Sequence, residues 1–394
     1  MTKTVISDVK LIEDGKITPC DVVLNGDIIH EIAPCGSVTL PGFSGNGLYL
    51  SHGFIDIHCH GGGGADFMDG TEEAWRKAAR LHLTHGTTCM TPTTLSATKE
   101  ELMRAFSIFY LCKNDMQDGA RMIGMHLEGP YFSPNQTGAQ DPEHLCLPNV
   151  QEVKEILTAC PDIVRWSMAP ELEGALETGA FLKQQGVLPS IGHSDATYEQ
   201  IKASVKSGFS HVTHLYSACS TITRENGFRR GGIVESAYVL DELTSEIIAD
   251  GCHLPAELLE MTYRFIGPER LCLVTDSMRG AGQISGESIL GSLENGQKVI
   301  IEDGVAKMPD HKAFAGSVCT AERLVRNMIQ MAGASLVDAI EMVTKTPARI
   351  IGKADVTGSV KPGRKADLIL FDENINIQTV WTDGIIRFNK MEEA

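Results

Sequence analysis

The period of the apolar positions changes along the chain and divides it into three stretches. Up to about residue 50, apolar and polar positions alternate in short runs, over 4–11, 21–24 and 28–32, punctuated by Asp14-Gly15, Gly26-Asp27 and Pro34. Alternation cut by such turn residues predicts a small antiparallel sheet. The far end behaves alike, with a buried-type run over 366–371 and a segment over 379–388 that Asp383-Gly384 splits into a hairpin. Two β-rich ends around a long middle predict one small, β-sandwich-like domain built from residues 1–52 and 356–394.

The middle alternates apolar strand-like runs with helical periodicity. Strands are predicted over 54–58, 87–91, 122–127, 163–169, 187–192, 211–215, 246–250 and 271–275. Helices are predicted over 71–84, 99–112, 150–158, 174–184, 197–206 and 255–265, with two more over 320–331 and 336–343. Eight β-then-α units predict a (β/α)8 TIM-like barrel across residues 53–355, within the α/β class. A doubly wound open sheet would carry G-x-G-x-x-G after its first strand, and Gly61 to Gly64 lacks that order. Residues 283–315 hold a further hairpin, over 298–301 and 305–308 around Asp303-Gly304, expected as an insertion over the barrel mouth.

A barrel of this kind carries its reactive groups at the C-terminal strand ends. Those ends supply His58 and His60 (first strand), Glu128 (third), His193 (fifth), His214 (sixth) and Asp276 (eighth). His58 and His60 lie two residues apart, so both side chains leave one face of a strand, about 6.5–7 Å apart, and can converge on one ion. Imidazole and carboxylate donors without a thiolate suit Zn²⁺ first, and also Fe²⁺, Mn²⁺ or Co²⁺. Each residue alone has an ordinary packing explanation. Their joint occurrence at five of eight strand ends carries the expectation of a divalent metal, one or two ions. Cys59, between the two histidines, points away and is expected to pack. His126 shares a face with Glu128 and is placed behind it, His211 faces away from His214, and His30, His52, His82, His85, His144 and His311 are read as surface or packing residues.

Composition narrows the function classes. The formal net charge of -17 opposes binding to nucleic acid or anionic membranes, and any anionic substrate needs a local basic patch. Arg224, Arg229 and Arg230 form such a cluster. Eleven cysteines, scattered without C-x-x-C spacing, fit free thiols in a reducing compartment. With no apolar signal core and no membrane-length run, the chain reads as cytoplasmic and soluble.

Across nearly the whole chain the ordered motifs resemble the N-acetylglucosamine-6-phosphate deacetylase family of the amidohydrolase superfamily. They are His58-Cys59-His60-Gly61, His126-Leu127-Glu128-Gly129-Pro130, Gly192-His193-Ser194, His214-Leu215-Tyr216, Asp250-Gly251-Cys252-His253, Val274-Thr275-Asp276, Ala315-Gly316-Ser317 and Pro362-Gly363-Arg364-Lys365-Ala366-Asp367. The resemblance implies that Glu128, His193 and His214 hold one metal. It implies that His58 and His60 add a second, with Glu128 bridging, and that Asp276 is the general base. His253 then contacts the sugar, Arg224 binds the phosphate in the neighbouring subunit of a homodimer, and Ala139, Gln140, Ser217, Ala218, Phe314, Ala315 and Gly316 line the substrate. The expected reaction is hydrolysis of the N-acetyl group of N-acetylglucosamine 6-phosphate. N-acetylgalactosamine 6-phosphate or another N-acyl compound is the alternative, and a non-catalytic barrel a third. Three positions depart from the family pattern. Gln140 replaces a carbonyl-polarising histidine, Ser217 an asparagine and Asn226 a proline.

Overall fold

The computed structural model describes residues 3–392, so the outermost residues of the terminal segments, 1–2 and 393–394, lie outside the described residues. All eight expected barrel strands form: Phe54–Cys59, Thr87–Thr94, Met125–Glu128, Ile163–Met168, Leu188–Ile191, His211–Val212, Thr244–Ile247 and Leu271–Leu273. They pair in parallel in that order, first with second through to seventh with eighth. Successive βα units place each connecting helix outside the strands, which is the (β/α)8 TIM-like barrel the periodicity predicts.

The third strand corrects the sequence expectation of one continuous run. It breaks into Arg121–Met122, paired with Cys89 and Met90, and Met125–Glu128, paired with the fourth strand. The break falls at Gly124, where a Cβ would lie 2.5 Å from the Val164 side chain, so the chain steps aside to pass its neighbour.

The seam between first and eighth strands has no continuous ladder among the described residues. Its lower part is bridged by the helix-end segment at Met342 and Val343, whose carbonyls accept from Leu273 N at 3.0 Å and Ile55 N at 2.8 Å. Its upper part closes through Asp276 N donating to His58 O and His60 N donating to Ser277 O, both at 2.9 Å. The Thr275 hydroxyl also donates to buried Asp56, at 2.5 Å.

Helix starts are set by side-chain caps that satisfy otherwise unpaired backbone N–H groups. Thr71 caps Glu72–Thr84, while Thr98 with Glu101 and Thr197 with Gln200 form reciprocal capping boxes on Lys99–Lys113 and Tyr198–Lys206. Two helices escape sequence reading. Ile233–Val239 begins after Gly232, which has no capping side chain of its own, so Glu235 and Ser220 accept from Gly232 N and Ile233 N at 2.7 and 3.1 Å, and Lys345–Ile350 contains Pro347.

Strands from both ends of the chain join in one sheet, where Leu368–Phe371 runs antiparallel to Tyr49–His52. Only Gly53 separates that sheet from the first barrel strand. The insertion is a three-stranded antiparallel sheet, Gly286–Leu290, Gln297–Glu302 and Val305–Lys307, one strand more than the expected hairpin. Buried Arg279 latches it down, gripping Asp69 through both carboxylate oxygens at 2.8 and 2.6 Å and reaching the carbonyls of Ile289 and Gly291.

Trp166, on the fourth strand and fully buried, carries packing into the site. Its ring stacks on Tyr131 at 5.6 Å, and its Nε1–H donates to Gly129 O at 2.8 Å, next to Glu128. Trp166→Phe keeps an aromatic ring and removes the donor. It is expected to cost about 1–3 kcal/mol, because the Gly129 carbonyl is left unpaired in the interior. Urea unfolding followed by fluorescence or circular dichroism measures the loss.

Candidate metal centre and substrate cleft

The six candidate residues from the strand ends converge, and all are buried. His58, His60 and Asp276 bring their ligand atoms together on one side, and Glu128, His193 and His214 on the other. Glu128 lies between the groups. Its Oε1 is 3.1 Å from His214 Nε2, 3.4 Å from His193 Nε2 and 3.3 Å from His58 Nε2, while Oε2 is 3.3 Å from His60 Nε2. Asp276 Oδ1 lies 3.4 and 3.2 Å from the Nε2 atoms of His58 and His60. His193, His214 and Asp276 sit in the left-handed backbone region, with φ of 48°, 28° and 44°. Such residues are held there only by the surrounding structure, and they concentrate at functional sites.

The outer nitrogens decide which atoms face inward. His193 Nδ1 donates to Gln136 O at 2.8 Å, His214 Nδ1 to Ser217 O at 3.1 Å, and His58 Nδ1 to Glu246 at 2.6 Å. With the proton on Nδ1, each of these rings presents a bare Nε2 to the centre. His193 Nε2 and His214 Nε2 are 3.1 Å apart, and His58 Nε2 and His60 Nε2 3.3 Å. Lone pairs meeting one another and two carboxylates at such distances need a cation among them, so the residues fit a divalent metal.

The electrostatics agree. Burial opposes a charge on His60, but Asp276 and Glu128 outweigh it and push the imidazole up to about 10. His58 is likewise lifted well above the ordinary histidine range against its burial, by Asp276, Glu246 and Glu128. A field that favours positive charge so strongly favours a metal cation too. Burial also works against the Glu128 carboxylate, yet His58, His193 and His214 hold it well below the usual range. His126 and His211 are different. Burial and the Arg165 charge keep His126 far below the ordinary value and His211 down to about 4. His126 packs edge-on against the His58 ring at 4.6 Å and bonds Ser167 at 2.7 Å, behind the candidate ligands as expected.

Cys59 points away from the centre, toward the His82 and Ser277 side chains at 3.2 and 3.3 Å. His82 and His52 are buried, and His52 bonds Thr357 at 3.0 Å.

Above the centre opens a cleft of about 280 Å³, lined by His60, Glu128, His193, His214, Asp276, Ala139, Gln140, Ser217, Ala218, His253, Phe314 and Gly316 among others. Gly316 has φ 71°, and a Cβ there would stand 2.8 Å from the Asp276 carbonyl oxygen, so the covering segment needs glycine to approach the base. Ala315 lies between two lining residues but is itself buried in the core of the insertion. His253 gives its Nδ1–H to Asp250 at 2.9 Å and packs against Phe314, which leaves Nε2 for a ligand. Gln140 is bonded at both ends of its amide, with one N–H left over. Its side-chain nitrogen donates to Glu128 Oε2 at 2.7 Å and its oxygen accepts from Ser96 N at 2.8 Å.

Arg224 does not line this cleft. It belongs to an exposed two-stranded hairpin, Thr223–Glu225 with Phe228–Arg230, and has no carboxylate partner among the described residues. Arg230 is tied to Glu225 at 3.0 Å. Lys312 is a cation on the cleft wall that strand-end reading missed, because it lies in the insertion's return segment.

Residues 49–387 match the amidohydrolase family. The chain is 32% identical over 338 residues to N-acetylgalactosamine-6-phosphate deacetylase of Escherichia coli O157:H7, covering 85% of this chain and 86% of that protein. It is 30% identical over 387 residues to N-acetylglucosamine-6-phosphate deacetylase of Bacillus subtilis (strain 168), covering 97% and 93%. Among solved structures, a point mutant of N-acetyl-D-glucosamine-6-phosphate deacetylase from Mycobacterium smegmatis, in complex with N-acetyl-D-glucosamine-6-phosphate, superposes with a TM-score of 0.90. Its identity is 26%, with 99% of this chain and 100% of that chain covered. With its barrel, its converging strand-end residues and these relatives, the chain belongs to the amidohydrolase family.

Proposed function

We propose that this enzyme, a metal-dependent amide hydrolase, removes the N-acetyl group of N-acetylglucosamine 6-phosphate, giving glucosamine 6-phosphate and acetate. The observation that carries this reading is the placement of Asp276, with His58 and His60, opposite the Glu128–His193–His214 group at the floor of a cleft, in a family whose similar members deacetylate amino-sugar phosphates. A divalent cation held there would supply Lewis acidity, acidifying water and polarising the acetyl carbonyl. Zn²⁺, Fe²⁺, Mn²⁺ and Co²⁺ all suit the donor set, and Zn²⁺ is the first expectation.

The residues around the centre do the rest. Asp276 takes the proton from the attacking water and later returns it to the amine nitrogen, which must leave protonated. Gln140 has one N–H left to offer a substrate, but its amide carries no charge and so cannot stand in for a protonated, carbonyl-polarising histidine. It holds Glu128 in place. His253, oriented by Asp250, faces the sugar, and Phe314 and Gly316 close over it.

The same reading makes the protein a homodimer. The hairpin that carries Arg224 stands clear of its own chain, with Phe228 at its tip 73% exposed, as a segment that docks on a second copy would. From there Arg224 reaches the phosphate of the neighbouring site, for which a planar guanidinium is well matched. Arg224→Ala is expected to raise KM for the phosphorylated sugar about 10-fold or more and to leave the unphosphorylated sugar unaffected. Initial rates with both substrates test this, and equal effects on the two would remove Arg224 from phosphate binding. The cell compartment that fits the free thiols is the cytoplasm; among the described residues no helix is long and apolar enough to cross a membrane.

A second reading, deacetylation of N-acetylgalactosamine 6-phosphate, is the activity of one similar relative, and Ser217 and Asn226 depart from the glucosamine pattern beside the expected phosphate site. Acetate release measured over both epimers, each with and without the 6-phosphate, decides between them. Failure to release acetate from any of the four would overturn the deacetylase reading.

A further inference from the structure

Beneath the candidate ligands, the barrel interior holds an ion pair that the reaction does not use directly. Glu246 on the seventh strand and Arg165 on the fourth are both fully buried, and Arg165 Nη1 donates to Glu246 Oε2 at 2.5 Å. Such a pair loses much hydration and is seldom a net source of stability. Its partners indicate what else it does.

Glu246 Oε1 accepts from two atoms at once, the His58 ring Nδ1 at 2.6 Å and the His214 backbone N at 3.1 Å. One oxygen therefore touches a residue of each ligand group. Arg165 repeats the pattern one residue upstream. Its Nη1 reaches Ile57 O at 3.3 Å and its Nη2 the Thr213 hydroxyl at 2.8 Å, the residues immediately before His58 and His214, while Nε bonds Ser190 on the fifth strand at 3.1 Å. His211 closes the other flank of Glu246 at 3.3 Å. Apart from the candidate ligand Glu128, no other side chain among the described residues of the barrel interior bonds both groups in this paired way.

We propose that Glu246, held by Arg165, is a positioning residue that sets the spacing between the His58–His60–Asp276 and Glu128–His193–His214 groups, so that two divalent cations bind as a coupled pair. This rests on the two-cation reading of the site. Outer partners that orient metal-ligating histidines typically change metal affinity about 10- to 100-fold when removed.

The test uses the full chain, stripped with a chelator and titrated with Mn²⁺. Stepwise affinities come from calorimetry, and exchange coupling between the two ions from electron paramagnetic resonance. Two variants are compared with the wild type. Glu246→Gln removes the charge and keeps the shape. The double variant Arg165→Met/Glu246→Met replaces the pair with apolar side chains, so no unpaired buried charge threatens folding.

The expected result is two coupled Mn²⁺ ions in the wild type. In both variants one ion should bind about 10- to 100-fold more weakly and the coupled signal should be lost. With metal restored, kcat should fall with little change in KM. Variants that unfold more easily yet keep both affinities and the coupled signal would show a purely structural pair and overturn the proposal. A wild type that binds a single ion would overturn the two-cation reading and the proposal together. Two coupled ions in a protein that releases no acetate would overturn the deacetylase reading alone, with Glu246 still judged by the metal readouts.

Discussion

Asp276→Asn is expected to lower kcat about 10²- to 10⁴-fold, the range for loss of a positioned general acid–base, while KM stays near its starting value. The amide keeps the size of the carboxylate but cannot take a proton from water or return one to the departing amine. Because Asp276 Oδ1 lies 3.4 and 3.2 Å from the two first-strand histidines, metal content is measured alongside the rate. A variant that keeps its metal and loses its rate isolates the proton transfers. One that keeps both takes Asp276 out of the mechanism.

The second large effect is expected from the double variant His58→Asn/His60→Asn. It should hold one ion fewer per chain, read by elemental analysis, and lose about 10²-fold or more in kcat/KM. The reason lies in Gln140, whose amide, bonded to Glu128 and Ser96, carries no positive charge with which to polarise the acetyl carbonyl. Without that help the His58 and His60 side of the site carries the electrophile. An unchanged rate would rule this out.

The strand ends were legible in the sequence because barrel architecture and metal chemistry constrain the same residues. His58 and His60 share a strand face, Glu128 and Asp276 end apolar runs, and each was expected where it is found. The helices at Glu72, Lys99 and Tyr198 begin within a residue of where the periodicity places them, and Thr71, Thr98 and Thr197 fix those starts as caps. Features that depend on contacts distant in sequence were not. Gly124 breaks the third strand because of Val164, forty residues on. Lys312 reaches the cleft only because the insertion folds back over it. Glu246 carried a faint signal, a carboxylate in the otherwise uncharged strand Thr244–Ile247, but its partners His58 and Arg165 are 188 and 81 residues away. Gln140 was noticed as a departure from the family, yet its role as a brace for Glu128 emerges only from the two bonds it makes.

The seam between the first and eighth barrel strands has one more consequence. Its upper half is closed by His58, His60, Asp276 and Ser277, largely the residues that form the centre. A cation that binds only the closed barrel stabilises it by mass action, about 2.7 kcal/mol at a hundredfold excess over Kd. Removing the ion is therefore expected to loosen this junction, and limited proteolysis of the protein with and without a chelator measures the effect.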